Sequence, residues 1–201
     1  WRPVSSVRPM AGTLQGALIV RGDAGGGAKR RVLWQSAYVG VGSNLHGPEA
    51  QVRHALAALA QLPKTRLVRQ SSLYGSRPWG LREQPDFVNA AAGLLTQLPV
   101  SEFFQALQSL QVRLGRSPPI VRWGPRLIDL DLLLFGQLRL QTPELTLPHR
   151  GVVSRSFVLY PLHEVAPELR LPGGLSVGEL LQRVDAADIW RLDNKPTTHG
   201  A

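Results

Sequence analysis

The chain contains no cysteine and a single methionine among its 201 residues. Without thiols there is no disulfide, no thiolate metal ligand and no cysteine nucleophile, so any metal must bind oxygen or imidazole. Long apolar runs are missing too. None approaches the roughly 20 residues that a membrane-spanning helix needs, and the run Gly16–Val20 is too short for the core of a secretory signal. A cytoplasmic protein with no membrane partner is therefore expected. Acidic residues are scarce, 14 against 23 cations for a net charge of +9, and 20 of those cations are arginine. The guanidinium fork matches phosphate oxygens in pairs, so a phosphate-bearing ligand is plausible. Hydrophobic residues make up 43% and charged residues 18%, which supports one packed core rather than a disordered or fibrous chain.

The charge is uneven along the chain. Residues 1–36 hold Arg2, Arg8, Arg21, Lys29, Arg30 and Arg31 against Asp23 alone, mixed with Pro, Ser and the glycines Gly22, Gly25, Gly26 and Gly27. That composition predicts a disordered basic extension without a function of its own. A single domain is expected over 37–185, with 186–201 as a tail. Within the domain, Ala37–Val41 predicts a strand and Gly42-Ser43-Asn44 a turn. A helix follows from Pro48, with Val52, Leu56, Leu59 and Leu62 on one face before Pro63. Residues 65–74 predict one strand and Phe87–Leu95 another, separated by a loop rich in Pro and Gly. Ser101 is expected to cap the next helix, whose stripe of Phe103, Phe104, Leu107, Leu110 and Leu114 ends at Gly115. Leu127–Gly136 predicts the last core strand. The order β-α-β-β-α-β is that of a ferredoxin-like α+β sandwich, with C-terminal additions: a hairpin-like segment and helical stretches around Ser154–Val165 and Ser176–Val184.

The most informative stretch is Arg122-Trp123-Gly124-Pro125-Arg126-Leu127-Ile128-Asp129-Leu130-Asp131. In a strand Asp129 and Asp131 face one side while Ile128, Leu130 and Leu132 face the other. Two carboxylates side by side in an apolar strand repel each other and lose hydration unless a cation sits between them or one keeps its proton. A hard divalent cation, Mg²⁺ above all, answers this when phosphates are near. Arg116, Arg122, Arg126, Arg150 and Arg155 flank the pair, and carboxylates for Mg²⁺ beside guanidiniums for phosphate describe a nucleoside triphosphate site. There is no G-x-x-x-x-G-K-[ST] segment, and Gly40-Val41-Gly42-Ser43-Asn44-Leu45 lacks the third glycine of a dinucleotide loop. Any ATP must be held by side chains and metal.

Gly42-Ser43-Asn44-Leu45, the run Gln84-Pro85-Asp86-Phe87-Val88-Asn89-Ala90, Leu114-Gly115-Arg116, the Arg122–Asp131 stretch, Pro148-His149 and Phe157-Val158-Leu159-Tyr160-Pro161-Leu162 together resemble the 6-hydroxymethyl-7,8-dihydropterin pyrophosphokinases of folate biosynthesis, over about residues 37–185. The resemblance implies transfer of diphosphate from ATP to the hydroxymethyl group of the pterin, releasing AMP, with two Mg²⁺ ions. It implies that Asp129 and Asp131 bind metal and that Arg116 and Arg126 handle phosphate, these four being the catalytic set. Gln108, Gln111, Trp123, Thr146, His149 and Arg155 fall on ATP-contacting positions, and Leu132 on a position lining the adenosine pocket. Phe87 and Phe157 match the pterin-stacking pair, Asn89 the amide-reading residue, and Ser76, Pro78, Trp79 and Trp123 the rest of the pterin lining. A flat, amide-bearing bicycle suits aromatic faces and a side-chain amide. Three departures touch nucleotide contacts: Gln111 in place of Glu, Glu144 in place of a basic residue, and Arg150 where an aromatic occurs. Ser117-Pro118-Pro119-Ile120-Val121 lacks basic residues that some relatives carry, and is expected to move over bound ATP.

Two other readings remain at this level. Ferredoxin-like sheets with basic charge also serve as RNA-binding modules, though no K/R-G-F/Y-G/A-F-V-x-F/Y segment is present. An inactive pterin or nucleotide sensor would carry the same residues. The enzyme reading expects ATP and hydroxymethyldihydropterin as its only partners, no nucleic acid, and a monomer.

Overall fold

The computed structural model describes residues 18–19, 33–117 and 123–192. Most of the expected N-terminal extension, residues 118–121 of the loop after the second helix, Arg122 and residues 193–201 lie outside them. The elements run β1 Leu18–Ile19, β2 Leu33–Ser43, α1 Pro48–Leu59, β3 Thr65–Gln70, β4 Tyr74–Ser76, β5 Phe87–Thr96, α2 Val100–Arg113, β6 Asp129–Phe135, β7 Leu140–Gln141, β8 Thr146–Leu147, α3 Ser156–Val165, α4 Val177–Leu181 and β9 Ile189–Arg191. In the main sheet β5 and β6 flank β2, β3 and β4 lie in tandem along the far side of β5, and β9 adds to β4, every pairing being antiparallel. That is the ferredoxin-like order, with α1 and α2 as the crossovers.

Alternation along the strands divides the core in two. Ala37, Val39 and Val41 of β2 and Val88, Ala90, Ala92 and Leu94 of β5 pack against Val52, Leu56 and Leu59 of α1 and Phe103, Leu107 and Leu110 of α2. On the other face Tyr38, Ala91, Leu133 and Leu134 meet Val158, Leu159 and Leu162 of α3 and Val177 and Leu180 of α4. The register of β2 against β6 shifts between Tyr38 and Val39, a bulge that places both Leu133 and Leu134 on the α3 face. The C-terminal helices cover only part of this second face.

Several expectations need correction. β2 begins at Leu33, upstream of the expected boundary at 37, because Trp34 and Ser36 are buried in the sheet. The single strand expected over 65–74 is two, β3 and β4. Between them Ser71 Oγ accepts the Ala91 N–H, and Ser71 N–H donates to the Ala91 carbonyl, so the chain leaves the ladder locally. Ser101 does not cap α2; the helix starts at Val100 after Pro99, and Ser101 sits exposed in its first turn. Gly115 does end it, at φ 88°.

Residues 186–201 are not simply a tail, since β9 pairs Tyr74↔Arg191, Gly75↔Trp190 and Ser76↔Ile189. Glu164 of α3 fastens that edge: it accepts hydrogen bonds from Ser72 N–H at 3.1 Å, Ser72 Oγ at 2.9 Å and Tyr74 OH at 2.8 Å, and lies 3.6 Å from Arg191 Nη2. Burial pushes its carboxyl up, but the hydrogen bonds from Tyr74 and Ser72 and the charge of Arg191 hold it below the usual value. The ionised form is thus favoured in the fold, so its contribution is complete above the usual carboxylate range and is lost as pH falls through it. Acid titration of wild type against Glu164→Gln, followed by melting temperature, should show the wild-type advantage at pH 7 shrinking as the pH falls below about 4.3.

A Cβ on Gly75 would sit 2.3 Å from the Trp190 indole. Gly75→Ala should therefore destabilise the protein by about 1–3 kcal/mol in denaturant titrations. Adding Trp190→Ala should recover part of that loss, because it removes the clash.

Candidate active site

The uncovered part of the α3-side face is a cavity of about 290 Å³. Its floor is bare by sequence. Gly40 and Gly42 alternate onto this face of β2, where Gly40 pairs with Asp131 and Gly42 with Asp129 on β6. On their other side the same glycines pair with Ala91 and Asn89 of β5. Each carboxylate thus has a cross-strand neighbour without a side chain, and a Cβ on Gly42 would stand 3.4 Å from Asn89 Oδ1. The acidic pair and the buried amide share one floor, separated by glycine.

The strand alternation expected for Asp129 and Asp131 holds. Both line the cavity, while Ile128, Leu130 and Leu132 are buried in the core on the α1/α2 side. Asp129 is clasped by two guanidiniums, Arg126 Nη1 at 2.6 Å from Oδ2 and Arg116 Nη1 at 2.7 Å from Oδ1. Among the described residues no guanidinium clasps Asp131 in this way. Burial foremost, then the charge of Asp129, pushes its carboxyl up to about 7, against the opposing pull of Arg116, Arg126 and Arg155.

The loops that bring in these arginines are fastened through Asn44, which is 2% exposed. Its Oδ1 accepts the Arg126 N–H at 2.8 Å, and its Nδ2 donates to Gln84 Oε1 and to the Pro85 carbonyl, both at 3.0 Å. Gln84 Nε2 in turn donates to the Trp123 carbonyl at 2.9 Å. One amide of the β2–α1 turn therefore ties the loop before β5 to the loop before β6. Trp79 and Trp123 meet edge to face across the mouth, centroids 5.4 Å apart, and the Arg155 guanidinium lies 4.4 Å from the Trp79 ring centre.

Phe87 and Phe157 both line the cavity, with Arg126 6.0 Å from the Phe87 ring and Arg155 5.7 Å from the Phe157 ring. Between them on the floor, Asn89 Nδ2 donates to Ser76 Oγ at 2.9 Å. His149 Nδ1 accepts the Gly151 N–H at 3.2 Å. Burial chiefly, with Arg155 and Arg150, lowers its pKa against the pull of Asp129, so the ring is neutral at pH 7.

The structure thus gathers Ser76, Trp79, Phe87, Asn89, Arg116, Trp123, Arg126, Asp129, Asp131, His149, Arg155 and Phe157 around one cavity. Pro78 belongs to the loop carrying Trp79 but does not line it. Thr146 lines a neighbouring groove that shares His149. Gln108 is exposed on α2, outside the cavity. Leu132 must be corrected: it is 2% exposed and faces the helix layer, because it is one residue out of phase with the aspartates. Leu133 takes the cavity-facing position. Gln111 is 5% exposed and lies behind Arg116 rather than on the wall. Sequence reasoning took Gly42 as a turn residue and missed the floor; the signal was available, since Gly40 and Gly42 repeat with the period of Asp129 and Asp131.

The sequence pattern of the 7,8-dihydro-6-hydroxymethylpterin-pyrophosphokinase (HPPK) family matches residues 38–167. The chain belongs to the HPPK family. The 2-amino-4-hydroxy-6-hydroxymethyldihydropteridine pyrophosphokinase of Pseudomonas aeruginosa is 48% identical over 158 residues, 79% of this chain and 97% of the relative. The enzyme of the same name from Haemophilus influenzae is 42% identical over 148 residues, 74% of this chain and 92% of its own. A solved Plasmodium falciparum HPPK-DHPS chain shares the fold, with a TM-score of 0.59 at 12% identity over 78% of this chain. This HPPK-family chain corresponds to 45% of that longer one. Among the described residues no helix is long and apolar enough to cross a membrane.

A carboxyl raised by burial destabilises the fold as it ionises. In chelator, wild-type melting temperature should therefore fall between about pH 4 and pH 7, and Asp131→Asn should lose that portion of the fall. Equal slopes for the two proteins would contradict the assignment.

Proposed function

We propose that this chain transfers the terminal diphosphate of ATP to the hydroxymethyl group of 6-hydroxymethyl-7,8-dihydropterin, giving AMP and the pterin diphosphate, a step of folate biosynthesis. The observation that carries the reading is the common floor: a slot edged by Phe87, Phe157 and Asn89 opens beside the acidic pair, with only glycine between them. Acceptor and donor would then lie edge to edge rather than in separate clefts.

The residues present fit magnesium. Asp129 and Asp131 supply hard oxygen ligands on one face, and no group of three or more His, Cys, Asp or Glu that could hold a metal occurs among the described residues. Two carboxylates suit an ion that completes its shell with water and phosphate rather than an all-protein cage. Two Mg²⁺ ions, held by Asp129 and Asp131 together with the nucleotide, would neutralise the triphosphate and polarise the transferred group.

The protein's own share follows from its geometry. Arg116 and Arg126 stand where they can exchange Asp129 for phosphate oxygens, and Arg155 lines the same wall. Four guanidiniums, Arg77, Arg116, Arg126 and Arg155, against two ionised carboxylates leave the cavity two positive charges, too few for a triphosphate alone. That shortfall is why metal accompanies the nucleotide. Phe87 and Phe157 grip the flat ring by its faces, and Asn89 reads its amide edge. Trp79 and Trp123 close the mouth, with Ser76 and Pro78 completing the pterin side and Thr146 and His149 the nucleotide side. Aligned this way, the hydroxymethyl oxygen attacks the β-phosphorus in line. The new bond is O–Pβ, the bond broken joins Pβ to the oxygen bridging it to Pα, AMP leaves with that oxygen, and the hydroxyl proton passes to solvent. Leu132, on the far face, takes no side-chain part. We take the enzyme to be a cytoplasmic monomer acting on small molecules.

In an assay with Mg²⁺, AMP should appear from ATP only when the hydroxymethylpterin is added. Asp131→Ala should lower turnover by about 100-fold or more, equivalent to about 2.7 kcal/mol of transition-state stabilisation, while remaining folded by circular dichroism. Pterin-independent AMP, or near-normal turnover in that variant, would refute the reading.

A further inference from the structure

The end of α2 carries a buried amide whose bonds reach both halves of the catalytic set. Gln111 Oε1 accepts the Leu130 N–H at 2.8 Å, and Leu130 is the residue between Asp129 and Asp131. The same oxygen accepts from Arg116 Nη1, the guanidinium nitrogen that faces Asp129 Oδ1. The Gln111 carbonyl accepts the Arg116 N–H at 2.9 Å, so the backbone turn that launches Arg116 starts from the same residue. Gly115, at φ 88°, makes that turn. The amide is 5% exposed and does not line the cavity.

We propose that Gln111 is a positioning residue: one buried oxygen fixes the aim of the Arg116 guanidinium and the edge of β6 that presents the two aspartates, without touching either substrate. This rests on the function proposed above and deepens it. Arg116 has a flexible stem, and a guanidinium free to swing would lose rotamer entropy each time it engaged phosphate. A buried acceptor removes most of that freedom in advance. Because the same atom holds the N–H between the aspartates, the distance between the phosphate arginine and the metal carboxylates is set by one side chain rather than by two loops. Gln108, one turn earlier on α2, is exposed and has no such reach.

Gln111→Met keeps the length and burial of the side chain but removes the acceptor, whereas Gln111→Glu keeps an acceptor oxygen. With Mg²⁺ and both substrates, Gln111→Met should lower kcat about tenfold or more with the pterin KM changed less than about twofold, and Gln111→Glu should retain kcat within about threefold. A double-mutant cycle with Arg116→Ala, read in the Kd of a non-hydrolysable ATP analogue with Mg²⁺, separates this from plain structural damage. In that background Gln111→Met should still lower the melting temperature, because the Leu130 N–H is orphaned, but should weaken analogue binding by less than it does with Arg116 present. By NMR the Arg116 Nε–H signal should be resolved in wild type and broadened in Gln111→Met. Unchanged kcat in Gln111→Met, an additive cycle, or an Arg116 signal indifferent to the substitution would each overturn the proposal. Wild-type protein that makes no AMP with the pterin would instead overturn the function, while the NMR comparison would still decide the role of Gln111.

Discussion

Two like charges held side by side out of water are the constraint around which this molecule is arranged. Asp129 and Asp131 repel each other on one face of a strand whose other face is core, and burial raises the cost of ionising Asp131. The chain answers with guanidiniums from three separate segments: Arg116 after α2, Arg126 before β6, and Arg155 before α3. Asp129 is paired with Arg126 at 2.6 Å and Arg116 at 2.7 Å, although its Oδ1 accepts no hydrogen bond among the described residues. Asp131 is left with a raised pKa, a carboxyl whose best partner is a cation arriving from outside. Breaking one side of such a cluster leaves an uncompensated buried charge, so Arg116 and Arg126 have a structural part in the fold.

The fold serves that cluster by what it leaves out. A ferredoxin-like sheet needs helices on one face only, and α1 and α2 supply them. The C-terminal additions then cover the second face at Tyr38, Leu133 and Leu134 but stop short of the glycine rows. The bulge in the β2–β6 register marks the boundary, because it turns Leu134 onto the α3 face beside Leu133, which follows Asp131 on that face. Rigid support continues into the loops. Asn44 and Gln84 join the β2–α1 turn to the segments bearing Phe87, Trp123 and Arg126, so the mouth is assembled from three loops that share one hydrogen-bonded hub.

Period-two and helical patterns made much of this legible from residues alone: the strand order, the helical stripes and the common face of the aspartates. What resisted were features set by partners distant in sequence. Ser71 breaks the 65–74 strand because its side chain and backbone are captured by Ala91, which no local pattern reveals. Residues 189–191 read as tail because three residues carry no periodicity; they become a strand because Gly75 leaves room for Trp190 and Glu164 holds Arg191. Leu132 was placed on the nucleotide by resemblance although alternation from Asp131 already puts it on the opposite face. Gln111 was placed among ATP contacts, and its burial against Leu130 N–H appears only once α2 and β6 are packed.

A basic, ferredoxin-like sheet also suits nucleic acid, and the site geometry bears on that reading. Affinity for a long polyanion grows with the number of phosphates contacted, which requires cations spread along a track and free to make those contacts. Here Arg77, Arg116, Arg126 and Arg155 converge on one cavity and two of them are engaged with Asp129, so a strand of RNA laid over it would meet the acidic pair at its centre. A compact triphosphate would avoid the conflict, because any dications it carried would meet the same two carboxylates. The basic composition and the acidic notch are therefore two sides of one arrangement, whose geometry suits a short polyanion better than an extended one.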